Sequence, residues 1–291
     1  MTTLPPFEVH RPGSVEEASE LLAQFGDDAV VYSGGTELLL VMKLGFADYP
    51  HLVDVKRIAE LRGLEVSNGM LEVGAAVTHR EVERSPVVRE RWAALASMER
   101  GVGNLRVRSM GTIGGNLCFA DPHSDPATFL LATGGSLVCR GAGGSPRELP
   151  VEAFVEGPYQ TALQPGELLT AVRLPEPGAG VGIAHEKMSL HERPAVTVTC
   201  VARVEDGQVN SARVAVGSVG NRPQRALDAE AALVGAAADG LDGRVATAAE
   251  AAAEAADPVE DANGSIEYKR QLVRVLVARC ARSAVERARG A

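Results

Sequence analysis

Two pairs of adjacent glycines stand where this sequence could hold an anion close to its backbone. The first pair lies in Tyr32-Ser33-Gly34-Gly35-Thr36-Glu37-Leu38 and the second in Thr112-Ile113-Gly114-Gly115-Asn116. Paired glycines permit positive φ and leave room for a ligand beside the backbone. Successive N–H groups in such turns point into one concavity and favour an anion, above all a pyrophosphate. Together the two segments predict a site for a dinucleotide.

Each glycine pair alone is a weak signal, because a chain with 31 glycines has many glycine turns. Neither pair fits the G-x-G-x-x-G of nicotinamide-binding folds or the lysine-bearing loop of nucleotide hydrolases, so the dinucleotide site must be of another type. A G-x-S-x-G nucleophile turn does not occur. The histidines show no spacing such as H-E-x-x-H, which argues against a zinc hydrolase.

The first glycine pair lies within a strand, turn, helix, strand unit. Alternation and capping signals predict a helix over Val15–Phe25 with Ser14 as N-cap, and a strand over Ala29–Tyr32. After the glycines, residues 37–44 are predicted to be helical and residues 51–55 to form a buried strand. The first motif is therefore expected in the turn between a strand and a helix.

The second glycine pair is predicted on a loop. A strand is expected over residues 70–77, and a helix over Arg89–Met98 that places Trp92 and Met98 in the core. The segment 101–115 is too rich in glycine for a long helix, whereas residues 126–132 fit a short helix with Pro126 in its first turn. The motif is thus expected on a loop that leads to a helix.

A change in residue composition near residues 175–182 predicts a domain boundary, because proline and glycine cluster there. A turn over 141–146 and a strand over 167–174 precede it. Three strands and then three helices are predicted beyond it, which is the order of a small α+β domain. The strands are predicted over 183–189, 195–204 and 211–219, and the helices over 225–237, 245–256 and 266–289.

Composition excludes several classes of protein. The net charge of -9 disfavours a nucleic-acid partner, and no apolar run reaches the roughly 18 residues of a membrane span. The start of the chain lacks a signal-peptide pattern, so we expect a cytoplasmic location without a transmembrane segment. Cys118, Cys139, Cys200 and Cys280 stand far apart in the sequence, which favours buried thiols over metal or iron-sulfur ligation.

The order of these motifs resembles the FAD-binding (medium) subunit of molybdenum hydroxylases, in the xanthine dehydrogenase and carbon monoxide dehydrogenase flavoprotein family. The likeness covers almost the whole chain. It is carried by segment 34–38, followed by His51-Leu52-Val53-Asp54-Val55, by segment 106–116 continued through 120–125, and by Tyr268-Lys269-Arg270.

The resemblance implies an α+β fold with two domains. Residues 1–176 would form a FAD-binding domain of the vanillyl-alcohol-oxidase (PCMH) type, with subdomains of about 1–56 and 57–176. Residues 177–291 would resemble the carbon monoxide dehydrogenase flavoprotein C-terminal domain, with three antiparallel strands and helices.

The resemblance also implies roles for individual residues. Both glycine segments would hold the FAD pyrophosphate, and the backbone of Leu169 would approach the flavin ring. Asp125 would bind the adenosine ribose, although a carboxylate before Pro126 could simply serve a helix N-terminus. Lys187 would face the flavin, although a surface lysine is an equal alternative. In some relatives an aromatic residue covers the ring near His191-Glu192-Arg193-Pro194-Ala195, where this chain has Ala195.

The function implied is electron relay. A large molybdenum-binding subunit would oxidise the substrate, a small subunit with [2Fe-2S] clusters would pass the electrons on, and FAD in this chain would release them in pairs. No residue of this chain is expected to be catalytic or to bind a metal. Two alternatives stay open: a stand-alone FAD-dependent oxidoreductase, and a non-catalytic assembly protein that keeps the fold without flavin. Neither the substrate nor the final electron acceptor follows from the sequence.

Overall fold

Helices and strands alternate along the first third of the chain, in agreement with the strand, turn, helix, strand unit predicted around the first glycine pair. A computed structural model describes residues 3–190 and 193–290, so the expectation for His191 and Glu192 lies outside the described part. The strands form three larger sheets and one hairpin. They are β1 Glu8–His10, β2 Ala29–Tyr32, β3 His51–Asp54, β4 Leu64–Ser67, β5 Met70–Gly74, β6 Ser136–Arg140, β7 Arg147–Pro150, β8 Val155–Gly157, β9 Gln160–Thr161, β10 Leu168–Pro175, β11 Val181–Met188, β12 Val196–Glu205, β13 Gln208–Gly217 and β14 Gln224–Arg225.

Most helices are short and connect or cover these sheets. They are α1 Val15–Phe25, α2 Leu38–Lys43, α3 His79–Arg84, α4 Pro86–Arg91, α5 Ala93–Gly101, α6 Leu105–Met110, α7 Ile113–Phe119, α8 Asp125–Thr133, α9 Val151–Phe154, α10 Leu227–Leu233, α11 Asp242–Ala255 and α12 Ile266–Arg289, with 3-10 turns at Gly26–Asp28 and Ala59–Leu61. None of the described helices combines the length and the apolar character that a membrane crossing requires.

The strand, turn, helix, strand unit around the first glycine pair is confirmed. Strands β1, β3 and β2 form a parallel sheet in that order. Helix α1 has the predicted bounds, and its N-cap is Ser14, whose Oγ accepts a hydrogen bond from the Glu17 amide at 3.1 Å. The first motif follows β2 and precedes α2, as the sequence predicts.

The helix predicted over residues 89–98 is broken in two. Trp92 has φ -125° and ψ 47°, which separates α4 from α5. Its indole N–H donates to the carbonyl oxygen of Pro175 at 3.1 Å, and its side chain is buried in the core with Met98, as predicted. The backbone leaves the helical conformation at Trp92, so an apolar face at helical spacing spans two helices instead of one. Strand β5 also ends at Gly74, earlier than predicted.

The second glycine pair lies in a helix and not on the predicted loop. Thr112 is the N-cap of α7, and its Oγ1 accepts a hydrogen bond from the Gly115 amide at 3.0 Å. Gly114 and Gly115 therefore belong to the first turn of a helix. A threonine N-cap compensates for the low helix propensity of two glycines.

An antiparallel sheet and its helices form the C-terminal part of the chain. Strands β11, β12, β13 and β14 pair in that order, so the sheet has a short fourth strand that the sequence did not predict. Helix α12, whose bounds were predicted, packs on β11 and β12. Contact between α12 and β11 is close, because a Cβ added to Gly182 would lie 1.9 Å from the carbonyl oxygen of Ala284.

We expect Gly182→Ala to lower the free energy of unfolding by roughly 2–3 kcal/mol, because an added methyl forces α12 away from the sheet. Gly178→Ala is the matched control, since nothing lies within 4 Å of its added Cβ. Urea denaturation followed by circular dichroism measures both variants. Equal midpoints for the two variants would contradict the close packing of α12 on β11.

Candidate cofactor site

The two glycine segments meet backbone to backbone. A Cβ added to Gly34 would lie 2.3 Å from the carbonyl oxygen of Met110 and 2.6 Å from the Cα of Gly111, so only glycine fits there. Ser33 Oγ and Thr112 Oγ1 lie 3.1 Å apart and share a hydrogen bond. The turn after β2 and the start of α7 thus form one continuous wall.

The turn after β2 keeps its amide groups available for a ligand. Gly35 has φ +70°, a conformation that side chains rarely adopt, and the turn lies at the N-terminus of α2. Within the described residues, the amides of Gly34, Gly35 and Thr36 donate to no protein acceptor. Neighbouring free N–H groups in a turn of this kind attract an anion.

The start of α7 differs, because its amide groups are already bonded to the protein. The Ile113 amide donates to Val77 at 3.1 Å, and the Gly114 amide donates to Ala75 at 3.0 Å. The Gly115 amide donates to the cap at Thr112, and the Asn116 amide donates to the Thr112 carbonyl at 3.0 Å. The start of α7 therefore offers no free amide at residues 113–116, whereas the described part of the turn after β2 does.

A cleft of about 650 Å³ runs along this wall, a size in the range of cofactor sites. All predicted site residues line it except Tyr32 and Ile113. The Tyr32 ring lies under the Lys56 ammonium, 3.5 Å from the ring centroid, and Ile113 is buried in the core. The predicted residues on the cleft wall are Ser33, Gly34, Gly35, Thr36, Glu37, Leu38, Thr112, Gly114, Gly115, Asn116, Asp125, Leu169 and Lys187.

Asp125 and Lys187 form an ion pair across the cleft wall. Lys187 Nζ lies 2.5 Å from Asp125 Oδ2 and also donates to the Gly101 carbonyl at 2.8 Å. The resemblance had suggested the adenosine ribose for Asp125 and the flavin for Lys187. Because the two side chains are in direct contact, we expect them to lie beside the same part of a bound cofactor. The pairing also shows that Lys187 is not a free surface lysine.

His185 completes this charged group. Its Nε2 lies 3.8 Å from Asp125 Oδ1, which is too far for a hydrogen bond, and its Nδ1 contacts Thr199 Oγ1 at 2.8 Å. Burial raises the pKa of Asp125, but the neighbouring His185 and the Lys187 ammonium outweigh this effect, so the pKa lies below its usual value. Asp125 Oδ1 and His185 Nε2 are buried without a hydrogen-bond partner in the described chain, so both can bind a polar group in the cleft.

Arg193 is a cleft residue to which sequence analysis gave no role. Its Nη2 lies 3.0 Å from Asp121 Oδ2 and 3.5 Å from Glu37 Oε2, so it links the end of the first glycine segment to the region after α7. Ala195, suggested as the position beside the flavin face, is buried immediately before β12 and does not line the cleft. No sequence signal identified Arg193, because its partners lie 72 and 156 residues away along the chain.

Leu169 lies at an irregular point of β10. The pairing of β10 with β6 shifts register between Leu169 and Ala171, and bulges of this kind often re-aim a strand beside a functional site. Cys118 also faces the cleft, and burial raises the pKa of its thiol to about 12. Its thiol therefore stays protonated at neutral pH.

Two known protein families match most of the chain. The FAD binding domain in molybdopterin dehydrogenase matches residues 5–177, and the CO dehydrogenase flavoprotein C-terminal domain matches residues 190–284. The carbon monoxide dehydrogenase medium chain of Hydrogenophaga pseudoflava is 34% identical over 282 residues, which are 96% of this chain and 97% of that protein.

The chain belongs to the FAD-binding subunits of the molybdenum hydroxylases. Solved structures agree with this family. A carbon monoxide dehydrogenase structure from the same organism, which lacks the Mo-pyranopterin moiety, matches with a TM-score of 0.94 and 35% identity over 98% of this chain and 99% of that one. Quinoline 2-oxidoreductase from Pseudomonas putida matches with a TM-score of 0.91 and 28% identity over 99% of each chain. This FAD-binding subunit is thus a component of an oxidoreductase, and FAD is its cofactor.

Lys187→Met should lower the free energy of unfolding of this FAD-binding subunit by about 3 kcal/mol at pH 7, because it leaves the buried Asp125 carboxylate unpaired. Lys43→Met, at the exposed end of α2, should change it by less than about 0.5 kcal/mol. Denaturant titrations measure both values.

The same ion pair makes stability depend on pH. The folded pKa of Asp125 lies below its unfolded value of about 3.9, so its charge stabilises the fold above that pH and this contribution is lost as pH falls through the folded pKa. The difference between wild type and Lys187→Met should therefore shrink as pH falls below about 3.9. A difference independent of pH would contradict the pairing.

Gly115→Val should weaken FAD binding at least about tenfold, or about 1.4 kcal/mol, because the side chain enters the cleft. Its Cβ would lie 2.9 Å from Thr112 Oγ1, whereas Gly243→Val in α11 has nothing within 4 Å and is the control. Flavin fluorescence titration of the apoprotein measures both. Full FAD occupancy in Gly115→Val would exclude this wall as the binding site.

Proposed function

We propose that this chain binds FAD in the cleft and relays electrons within a molybdenum hydroxylase. A small partner subunit with [2Fe-2S] clusters would deliver the electrons, which a large molybdenum-binding subunit takes from the substrate. The observation that carries this proposal is the order of the two family matches along one chain, together with a cleft walled by both glycine segments. When bound, FAD accepts electrons singly and passes them to an external acceptor in pairs.

The amides of Gly34, Gly35 and Thr36 would hold the FAD pyrophosphate. Among the described residues these three amides donate to no protein acceptor, and they lie where α2 begins. Gly115 would act differently, by leaving space beside the cap of α7. The first glycine segment would thus bind the anion, and the second would let the cofactor approach the backbone closely.

Asp125, His185 and Lys187 would share one role at the ring end of the cofactor. Unpartnered Asp125 Oδ1 accepts hydrogen bonds, unpartnered His185 Nε2 accepts or donates according to its tautomer, and the polar edge of a flavin ring carries both donors and acceptors. Because Asp125 compensates the charge of Lys187, the pair presents little net charge to the flavin. These residues would orient the ring rather than supply a proton, so none is assigned as catalytic.

The cysteines support a split enzyme. Cys139, Cys200 and Cys280 are buried within the two main apolar cores, and burial raises the pKa of Cys139 to about 11. Protonated thiols in apolar surroundings serve packing, whereas iron-sulfur clusters need thiolates. The clusters would therefore belong to the partner subunit. The substrate would be selected by the molybdenum subunit, and the cytoplasmic location stays a prediction.

We also propose the finer division of the fold. Residues 1–176 would be a FAD-binding domain of the vanillyl-alcohol-oxidase (PCMH) type, with subdomains of about 1–56 and 57–176, and residues 177–291 would be the second domain. Support comes from the separate parallel sheet before residue 56, from the antiparallel sheet β4-β5-β10-β6-β7, and from a third sheet that begins with β11.

The visible absorption spectrum of the purified chain tests the proposal, with the cofactor released by heat and identified, followed by co-purification from the native cell. Stoichiometric FAD with iron-sulfur and molybdenum partners is the expected result. FAD without partners would favour a stand-alone oxidoreductase. A chain that takes up no flavin, even on reconstitution, would contradict both the electron relay and the stand-alone oxidoreductase. It would favour a non-catalytic role in assembly.

A further inference from the structure

Three potential metal ligands lie close together outside the cleft, on the N-terminal sheet β1-β3-β2. Strand β1 pairs in parallel with β3, with Glu8 opposite His51. Glu8 and His10 are two residues apart on β1, so their side chains share one face of the sheet. This register brings Glu8, His10 and His51 together, although 41 residues separate the two histidines in the sequence.

The three donor atoms lie at the corners of a triangle that a metal ion fits. His10 Nε2 and His51 Nδ1 are 3.0 Å apart, and Glu8 Oε2 lies 4.0 Å from the first and 3.9 Å from the second. The centre of this triangle lies about 2.1 Å from each atom, which is the length of a zinc bond to nitrogen or carboxylate oxygen.

A hydrogen-bonded histidine pair explains this group less well. One imidazole N–H can donate to the other ring at 3.0 Å, but Glu8 Oε2 is too far from both nitrogens for a hydrogen bond. The carboxylate instead faces both rings at nearly equal distance, as a third ligand does around a central ion. Phe25 stacks on His51 with ring centroids 3.9 Å apart, which holds the imidazole in place.

We propose that Glu8, His10 and His51 bind a divalent transition-metal ion of the zinc class. Two imidazoles and one carboxylate suit zinc, cobalt and nickel better than magnesium or calcium. The Glu8 side chain is 69% exposed, so water can reach an ion bound here and complete its coordination. The ion would tie the first strand to the centre of its sheet. This inference goes beyond the proposed electron relay and departs from the expectation that the chain binds no metal.

Metal titration of the full FAD-loaded chain, after treatment with a chelator, tests this proposal. Zn²⁺ is followed by calorimetry and Co²⁺ by its visible absorption. One ion should bind per chain, and His10→Ala and His51→Ala should each weaken binding at least about tenfold, the loss typical of even a residue that supports a ligand. Zn²⁺ should also raise the melting temperature of wild type but not of His51→Ala.

Two glutamate variants keep the test independent of folding defects. Glu8→Gln changes an exposed side chain and should weaken metal binding with unchanged melting temperature in the absence of metal. Glu65→Gln, on the exposed face of β4, is the matched control and should bind like wild type. No saturable binding, or binding equally strong in all variants, would overturn the proposal. Flavin content is measured in the same samples, so a failure of FAD binding is recognised separately.

Discussion

The contact between the turn after β2 and the start of α7 is the constraint on which the cleft depends. Gly34 lies so close to Met110 and Gly111 that no side chain fits between them. The hydrogen bond between Ser33 and Thr112 joins the same two segments. Since the turn follows a strand of one sheet and α7 lies against β10 of another, this contact fixes two parts of the chain around one cavity.

Two sequence motifs that look alike perform different tasks because of their neighbours. The amides at the start of α7 are bonded to Ala75, Val77 and Thr112, whereas those of Gly34, Gly35 and Thr36 have no acceptor in the part of the chain that the structure describes. The two glycine pairs are visible in the sequence, and sequence patterns predicted the helices and strands around the first pair. They could not show which amides stay free, because the Ile113 and Gly114 amides find their acceptors at Val77 and Ala75, far away along the chain. The break at Trp92 was missed as well, because apolar residues at helical spacing do not show where the backbone leaves the helix.

The contacts between charged residues could not be predicted from the sequence either. Asp125 and Lys187 were identified from the sequence, but only the structure shows that they form one pair. Arg193 and the group of Glu8, His10 and His51 had no local signal, since each depends on partners brought together by tertiary contacts or strand register. In contrast, the exact bounds of α1 and α12 followed from capping and apolar periodicity, which are local properties.

Hydrogen exchange of the two glycine segments, with and without FAD, tests the central claim most directly. Free amides in residues 34–36 should exchange quickly in the apoprotein and become protected when FAD binds, because the pyrophosphate accepts their hydrogen bonds. Amides of residues 113–116 should be protected in both states, because they are bonded to the protein already. Protection that appears at residues 113–116 while residues 34–36 stay unchanged would contradict the account.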